Sequence, residues 1–188
     1  MAIFDKSTAS QDVNQYCTRI KSGDVGKYVL LPGDPDRVDR IAGYLDEVEL
    51  VADNREFKTI RGIYQDISVS VMSTGIGCPS ASIAVEELAN AGATHFIRVG
   101  STAALQPGIR TGDIIVNTAA QRNDGTTRAY VPEGYPAVAD HFLTHSLIEA
   151  SVELQKTSDF ACHIGLNACD DAFYAETPAW IKDSAIDL

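Results

Sequence analysis

Tyr28-Val29-Leu30-Leu31-Pro32-Gly33-Asp34-Pro35-Asp36-Arg37 reads as a buried strand that ends in a glycine turn and opens directly into a helix. Tyr28 to Leu31 form the apolar run, Gly33 permits the turn, Asp34 is placed to cap the helix, and Pro35 suits its first turn. Unpaired backbone N–H groups at a helix start attract phosphate, and Arg37 adds a fork of donors there. Two readings stand at this point: an anion site, or a well-capped helix with Arg37 in solvent.

The same arrangement returns downstream. Val38, Ile41 and Leu45 recur at helical spacing after the first glycine turn, which predicts a helix of about three turns weakened near Gly43 and Tyr44. Val48 to Val51, Phe57 to Ile60 and Ile67 to Val71 read as strands, the last by its strict alternation. Asn54-Arg55-Glu56 falls where two of them turn, so Arg55 and Glu56 are either a solvated pair or a contribution to a neighbouring subunit's site. Ser73-Thr74-Gly75-Ile76-Gly77-Cys78-Pro79-Ser80 is a second strand end, glycine turn and helix start, with Ala84, Leu88 and Ala91 on one face. It is neither a GxGxxG nor a Walker loop, so it gives no support to nucleoside triphosphate binding.

His95 to Thr102 is the next strand, apolar except for Arg98, whose neighbours place it in a core. A charge there requires a carboxylate or a bound anion, and Gly100 and Ser101 follow with a backbone turn and a hydroxyl suited to the anion. Ile114 to Thr118 and Cys162 to Leu166 read as strands, Asn123-Asp124-Gly125 as a turn, and His141 to Leu154 as a helix. His141 and His145 lie four apart without the Glu of an HExxH motif and read as a surface pair.

Composition narrows the function classes. A chain of 188 residues, 45% hydrophobic, suits one core and one domain. A net charge of −11 and a pI near 4.6, with no Lys/Arg run, argue against nucleic acid or an anionic membrane as partner. An anion site must then be built locally from converging arginines. Cys17, Cys78, Cys162 and Cys169 show no CxxC or metal-ligand spacing, which predicts reduced thiols in a cytoplasmic protein and argues against zinc. No stretch approaches the ~18 apolar residues of a membrane span. Residues 1–27 are polar and weakly periodic, with Gly23-Asp24-Val25-Gly26 as a turn, so residues 1–22 read as an N-terminal arm laid over the surface or onto a partner.

From about Gly23 to Tyr174 these motifs together resemble the hexameric nucleoside phosphorylases, and within them the uridine phosphorylases. Gly23-Asp24-Val25, Pro32 to Arg37, Arg55-Glu56-Phe57, Ser73 to Gly77, Ser82 to Leu88, Arg98 to Ser101 and Pro136 to Asp140 carry the match. The resemblance implies an α/β fold, a three-layer α/β/α sandwich around a mixed, partly barrel-like central sheet, spanning residues 1–188 as a single, C-terminally short domain. It implies phosphorolysis of a nucleoside to free base and pentose 1-phosphate. By position, Gly33, Arg37, Arg98 and Ser101 match phosphate ligands, and Arg55 matches an arginine reaching in from the adjacent subunit. Thr102 and Phe173 match nucleoside contacts. Glu56, Ile76 and Ser80 match positions that hold potassium between paired subunits. No catalytic side chain is assigned. Phosphate is co-substrate, no cofactor is required, and a homo-oligomer, a dimer or trimer of dimers, is implied.

The departures are specific. Family members continue past position 188 into a Glu-Met-Glu segment that binds the ribose hydroxyls and a late helix and loop carrying leaving-group chemistry. The uracil-recognising Gln and Arg fall at Thr177 and Ala179, and Pro178-Ala179-Trp180 no longer follows the pattern. Cys17 stands for a histidine that reaches the neighbour's ribose, and Ala103 replaces a glycine beside the base. The rival reading is a catalytically impaired phosphate- or nucleoside-binding homologue that acts as an oligomer or with a partner.

Overall fold

The computed structural model describes residues 13–172, which divide between Ser101 and Thr102 into two compact units. In the first, β1 (Tyr28–Pro32) leads through α1 (Pro35–Ala42) to the strands β2 (Asp46–Asn54), β3 (Phe57–Tyr64) and β4 (Ile67–Met72). The chain then runs through α2 (Cys78–Ala91) into β5 (His95–Val99). The sheet order is β2-β3-β4-β1-β5, with β1 parallel to both β4 and β5 and the other pairs antiparallel. The apolar run of β1 is explained by its central place between parallel neighbours.

Alternation along β1 assigns its side chains to two cores. Val29 and Leu31 pack with Ile20, Phe57, Met72 and Leu88 of α2, whereas Leu30 lies against Val38 of α1, Ile60 and Val71. One helix therefore covers each face of this sheet. The sequence predicts a longer α1, but it ends after eight residues at Gly43, past which Tyr44 N and Leu45 N donate to Ile41 O and Ala42 O in tighter three-residue turns. Leu45 lies past the helix and still packs on the Val38 cluster. The capping reading holds, since the Asp34 carboxylate accepts from Asp36 N at 3.0 Å with Pro35 beginning the helix.

The segment read as an arm laid over the surface or onto a partner is, from residue 13 on, fastened to its own unit. Thr18 and Ile20 are fully buried, the Glu87 carboxylate of α2 accepts from Cys17 N (2.9 Å) and Thr18 N (2.7 Å), and Asn54 Nδ2 donates to Cys17 O (2.6 Å). Two hairpins use two-residue turns, Arg55-Glu56 and Gln65-Asp66, with Arg55, Gln65 and Asp66 all at positive φ. β2 is an edge strand with two register shifts against β3.

The second unit carries β6 (Ile114–Arg122), α3 (Thr127–Tyr130), β7 (Ala137–Val138), α4 (His141–Gln155) and β8 (Cys162–Cys169). Its sheet order is β7-β6-β8, with β6 and β8 parallel and β7 antiparallel to β6. The α/β architecture with mixed sheets is as expected, and neither sheet closes into a barrel among the described residues. Asp113 fastens the start of the β6/β8 pair by accepting from Arg110 N (2.8 Å), Ala161 N (2.9 Å) and His163 Nε2 (3.1 Å). The Ala161 N–H, then the Arg110 N–H, then His163 hold its carboxyl well below the usual range. His145 meets Glu149 at 3.3 Å on exposed α4, in keeping with a surface pair. Among the described residues no cysteine is in a disulfide, and no helix is long and apolar enough to cross a membrane.

Candidate functional site

Because β1 and β5 are parallel neighbours with Leu31 opposite Arg98 and Pro32 opposite Val99, both strands deliver their C-terminal ends to the same edge of the sheet. In open α/β sheets that edge, with helix N-termini beside it, is where ligands bind. Arg98 lies one residue before the end of β5 and is exposed rather than in the core the sequence suggests. β5 is the outermost strand of this sheet among the described residues, which leaves that end of it open to solvent. Its Nη1 donates to Leu31 O and Val99 O, both at 2.9 Å, so two strand-end carbonyls fix the guanidinium plane.

Gly33 is needed for space rather than for left-handed backbone. It is not among the positive-φ glycines, and a Cβ built on it would lie 3.1 Å from Arg98 Nη2 and 3.3 Å from Gly75 O. A Cβ on Gly100 would come within 3.0 Å of Arg98 Nη1. Arg37, in the first turn of α1, directs Nη2 at Ser101 Oγ (3.5 Å). The fold thus brings Gly33, Arg37, Arg98 and Ser101 together: two guanidinium groups and a hydroxyl at a helix start, in a chain whose net charge is −11. Such a cluster favours a compact dianion.

The other predicted positions divide. Arg55 stands exposed at the tip of the β2–β3 hairpin with φ 58, a conformation unfavourable for a residue with a Cβ. Glu56, Ile76 and Ser80 gather about Gly75: a Cβ on Gly75 would lie 2.8 Å from Glu56 Cγ and 3.5 Å from Ser80 Oγ, while Ser80 Oγ donates to Ile76 O at 3.2 Å. Gly75 itself has φ +68, which suits glycine.

In the second unit, exposed Thr102 donates from Oγ1 toward Ala103 O (3.3 Å) and Asn167 Oδ1 of β8 (3.5 Å). Nothing in the sequence singles out Asn167, since a single Asn in a strand belongs to no motif. Phe173, Thr177 and Ala179 lie outside the described residues. Cys17 packs against the core cluster of Ile20, with its backbone held at both ends.

Residues 27–186 match the sequence profile of the Phosphorylase superfamily. This chain belongs to that family. Within the superfamily it is 52% identical over 160 residues to the uridine phosphorylase of Thermococcus kodakarensis, covering 85% of this chain and 56% of that protein. It is 43% identical to the guanosine phosphorylase of Halorubrum lacusprofundi, covering 87% of this chain and 66% of the relative. Among solved superfamily structures, the uridine phosphorylase of Vibrio fischeri superposes with TM-score 0.81 at 36% identity, covering 93% of this chain and 73% of that one. The purine nucleoside phosphorylase of Toxoplasma gondii, in complex with immucillin-H, gives 0.83 at 33%, covering 93% and 70%. The chain therefore spans between about half and two thirds of the length of these two sequence relatives.

Proposed function

We propose that this phosphorylase-superfamily chain binds inorganic phosphate at Gly33, Arg37, Arg98 and Ser101 and supports phosphorolysis of a nucleoside, in the manner of a uridine phosphorylase. The observation that carries this reading is the convergence of two arginines and a hydroxyl at the shared end of β1 and β5, with Arg98 held in plane by two carbonyls. The names of the relatives support it. Chemically, a phosphate oxygen forms a bond to C1′ as the bond from C1′ to the base nitrogen breaks. The base leaves with the electron pair, and the product is pentose 1-phosphate. The protein supplies positioning of the dianion and charge stabilisation around an oxocarbenium-like sugar, so fixed guanidinium groups matter more than an acid or base on the phosphate side.

Because the family match runs across both compact units, residues 1–188 are read as one phosphorylase domain, with residues 1–22 as its arm. Thr102 and Phe173 serve the nucleoside. Arg55, exposed on a hairpin tip, serves the site of a second copy, which makes a homo-oligomer the working form. The side-chain stem of Glu56 and the Ser80 hydroxyl lie beside Gly75, and Ser80 Oγ meets Ile76 O; a carboxylate, a carbonyl and a hydroxyl from these three residues are an all-oxygen donor set that fits a hard monovalent cation such as potassium. When bound, the ion would supply charge and order at that turn. The site lies in the cytoplasm in this reading.

The experiment is release of base from uridine, thymidine, inosine, guanosine and adenosine by the purified chain, with and without phosphate. Phosphate-dependent turnover that Arg98→Ala abolishes supports the reading. No turnover on any nucleoside refutes the enzymatic part, and phosphate binding unchanged by Arg98→Ala refutes the site.

A further inference from the structure

We infer that Asn167 is a positioning residue that makes the Thr102 hydroxyl an acceptor toward the bound molecule, and so dedicates Thr102 to a donor group of the nucleoside rather than to phosphate. The inference rests on the reading that Thr102 meets the nucleoside, and it adds a residue and a polarity to it.

A threonine hydroxyl has one proton and two lone pairs. Thr102 Oγ1 faces two acceptors, Ala103 O at 3.3 Å and Asn167 Oδ1 at 3.5 Å, which share that proton. The lone pairs are what the hydroxyl then presents to anything bound against it. A pentose O–H or a base N–H can donate to them, whereas the ionised oxygens of phosphate only accept and meet no proton there.

The placement of Asn167 fits this role. It lies near the C-terminal end of β8, opposite Ala120 of the parallel strand β6, on the half-buried side of β8 while Leu166 and Ala168 are exposed. Its Nδ2 is directed at Cys169 Sγ (3.6 Å), which sets the carboxamide with its oxygen toward Thr102. Holding a short side chain in this sense on a strand, rather than on a loop, keeps the hydroxyl polarity fixed before a ligand arrives.

The test is calorimetric titration of the full chain with uridine, with guanosine and, separately, with inorganic phosphate, for wild type, Asn167→Leu, Asn167→Asp and Thr102→Val. Melting temperatures are measured in parallel. Asn167→Leu removes one of the two acceptors and leaves the Thr102 proton to Ala103 O alone, so the hydroxyl is no longer held from both sides and the better-bound nucleoside weakens about 5- to 10-fold while phosphate affinity holds within about twofold. Asn167→Asp keeps acceptor oxygens and restores nucleoside affinity to within about threefold of wild type. Asn167→Leu binding nucleoside as wild type while Thr102→Val is weakened overturns the role of Asn167. Asn167→Asp as weak as Asn167→Leu overturns the acceptor polarity. Equal loss of nucleoside and phosphate binding with a lowered melting temperature in Asn167→Leu shows a structural role and overturns the proposal. Unaltered binding in Thr102→Val, or no nucleoside binding by wild type, refutes instead the underlying reading of Thr102, and the proposal with it.

Discussion

Replacing Gly33 with alanine tests the proposed phosphate site through one added methyl group. A Cβ at position 33 would sit 3.1 Å from Arg98 Nη2 and 3.3 Å from Gly75 O. Ordinary carbon contacts begin at about 3.5 Å, so the guanidinium must retreat by about 0.4 Å. It cannot do so freely, because Nη1 is held by Leu31 O and Val99 O at 2.9 Å each. Hydrogen bonds to charged groups contribute about 1.5–3 kcal/mol, and stretching this pair while displacing the anion-facing edge costs about 1–2 kcal/mol of phosphate binding. The expected result is a Kd for phosphate raised about 5- to 30-fold. Fold stability should fall slightly, because the strain on the Arg98 hydrogen bonds outweighs the gain from an unfolded chain that alanine makes less free. Calorimetric titration with phosphate and thermal melts measure the two quantities. A double-mutant cycle assigns the cause: in an Arg98→Ala background the Gly33→Ala penalty should vanish. Unaltered phosphate affinity in Gly33→Ala, or a penalty that persists undiminished without Arg98, refutes the steric argument.

Glu87→Gln leaves one of the Cys17 and Thr18 amides facing a donor instead of a carboxylate oxygen, and should destabilise the first unit by about 1–3 kcal/mol. Hydrogen exchange at those two amides should accelerate before the rest of the unit, and unchanged exchange there would contradict the clamp. Asp113 has a carboxyl held below its ordinary range by the Ala161 and Arg110 N–H groups and His163, so its stabilisation is complete above the unfolded pKa of about 4 and is lost as pH falls through the lower folded value. The stability gap between wild type and Asp113→Asn should therefore narrow as pH falls below about 4 and close only below the folded value; a gap that widens over that range would reverse the sign of the argument.

Much of the first sheet was legible because buried parallel strands write themselves as apolar runs and α1 announces its cap. Asp34, Pro35 and the strand of Tyr28 to Leu31 fall where the sequence places them. Part of what could not be read depends on partners distant along the chain, and part on local signals that are weak or absent. Glu87 looks like a solvated helix residue until the amides of Cys17 and Thr18 arrive from about 70 positions away. The Gln65-Asp66 hairpin lacks the Asn-Gly or Asp-Gly signal of such turns, and α3 and β7 are too short to show any period. Of the candidate site, the sequence singles out Gly33, Arg37, Arg98 and Ser101, which the fold brings together, but not the carbonyl clamp on Arg98, because local sequence does not show which backbone oxygens a strand end will meet. Asn167 lacked even a motif.

β2 also bears on how the protein behaves when crowded. A free sheet edge is a template on which foreign strands can add, which is how soluble chains begin to clump. This edge carries Asp46, Glu47, Glu49 and Asp53, all exposed, and its pairing with β3 is interrupted at two places. An incoming copy would meet its own negative charge and a backbone ladder that is out of step. The border that folding leaves open is thus guarded against recruitment, and Val48 and Leu50 remain on its surface without inviting a growing stack.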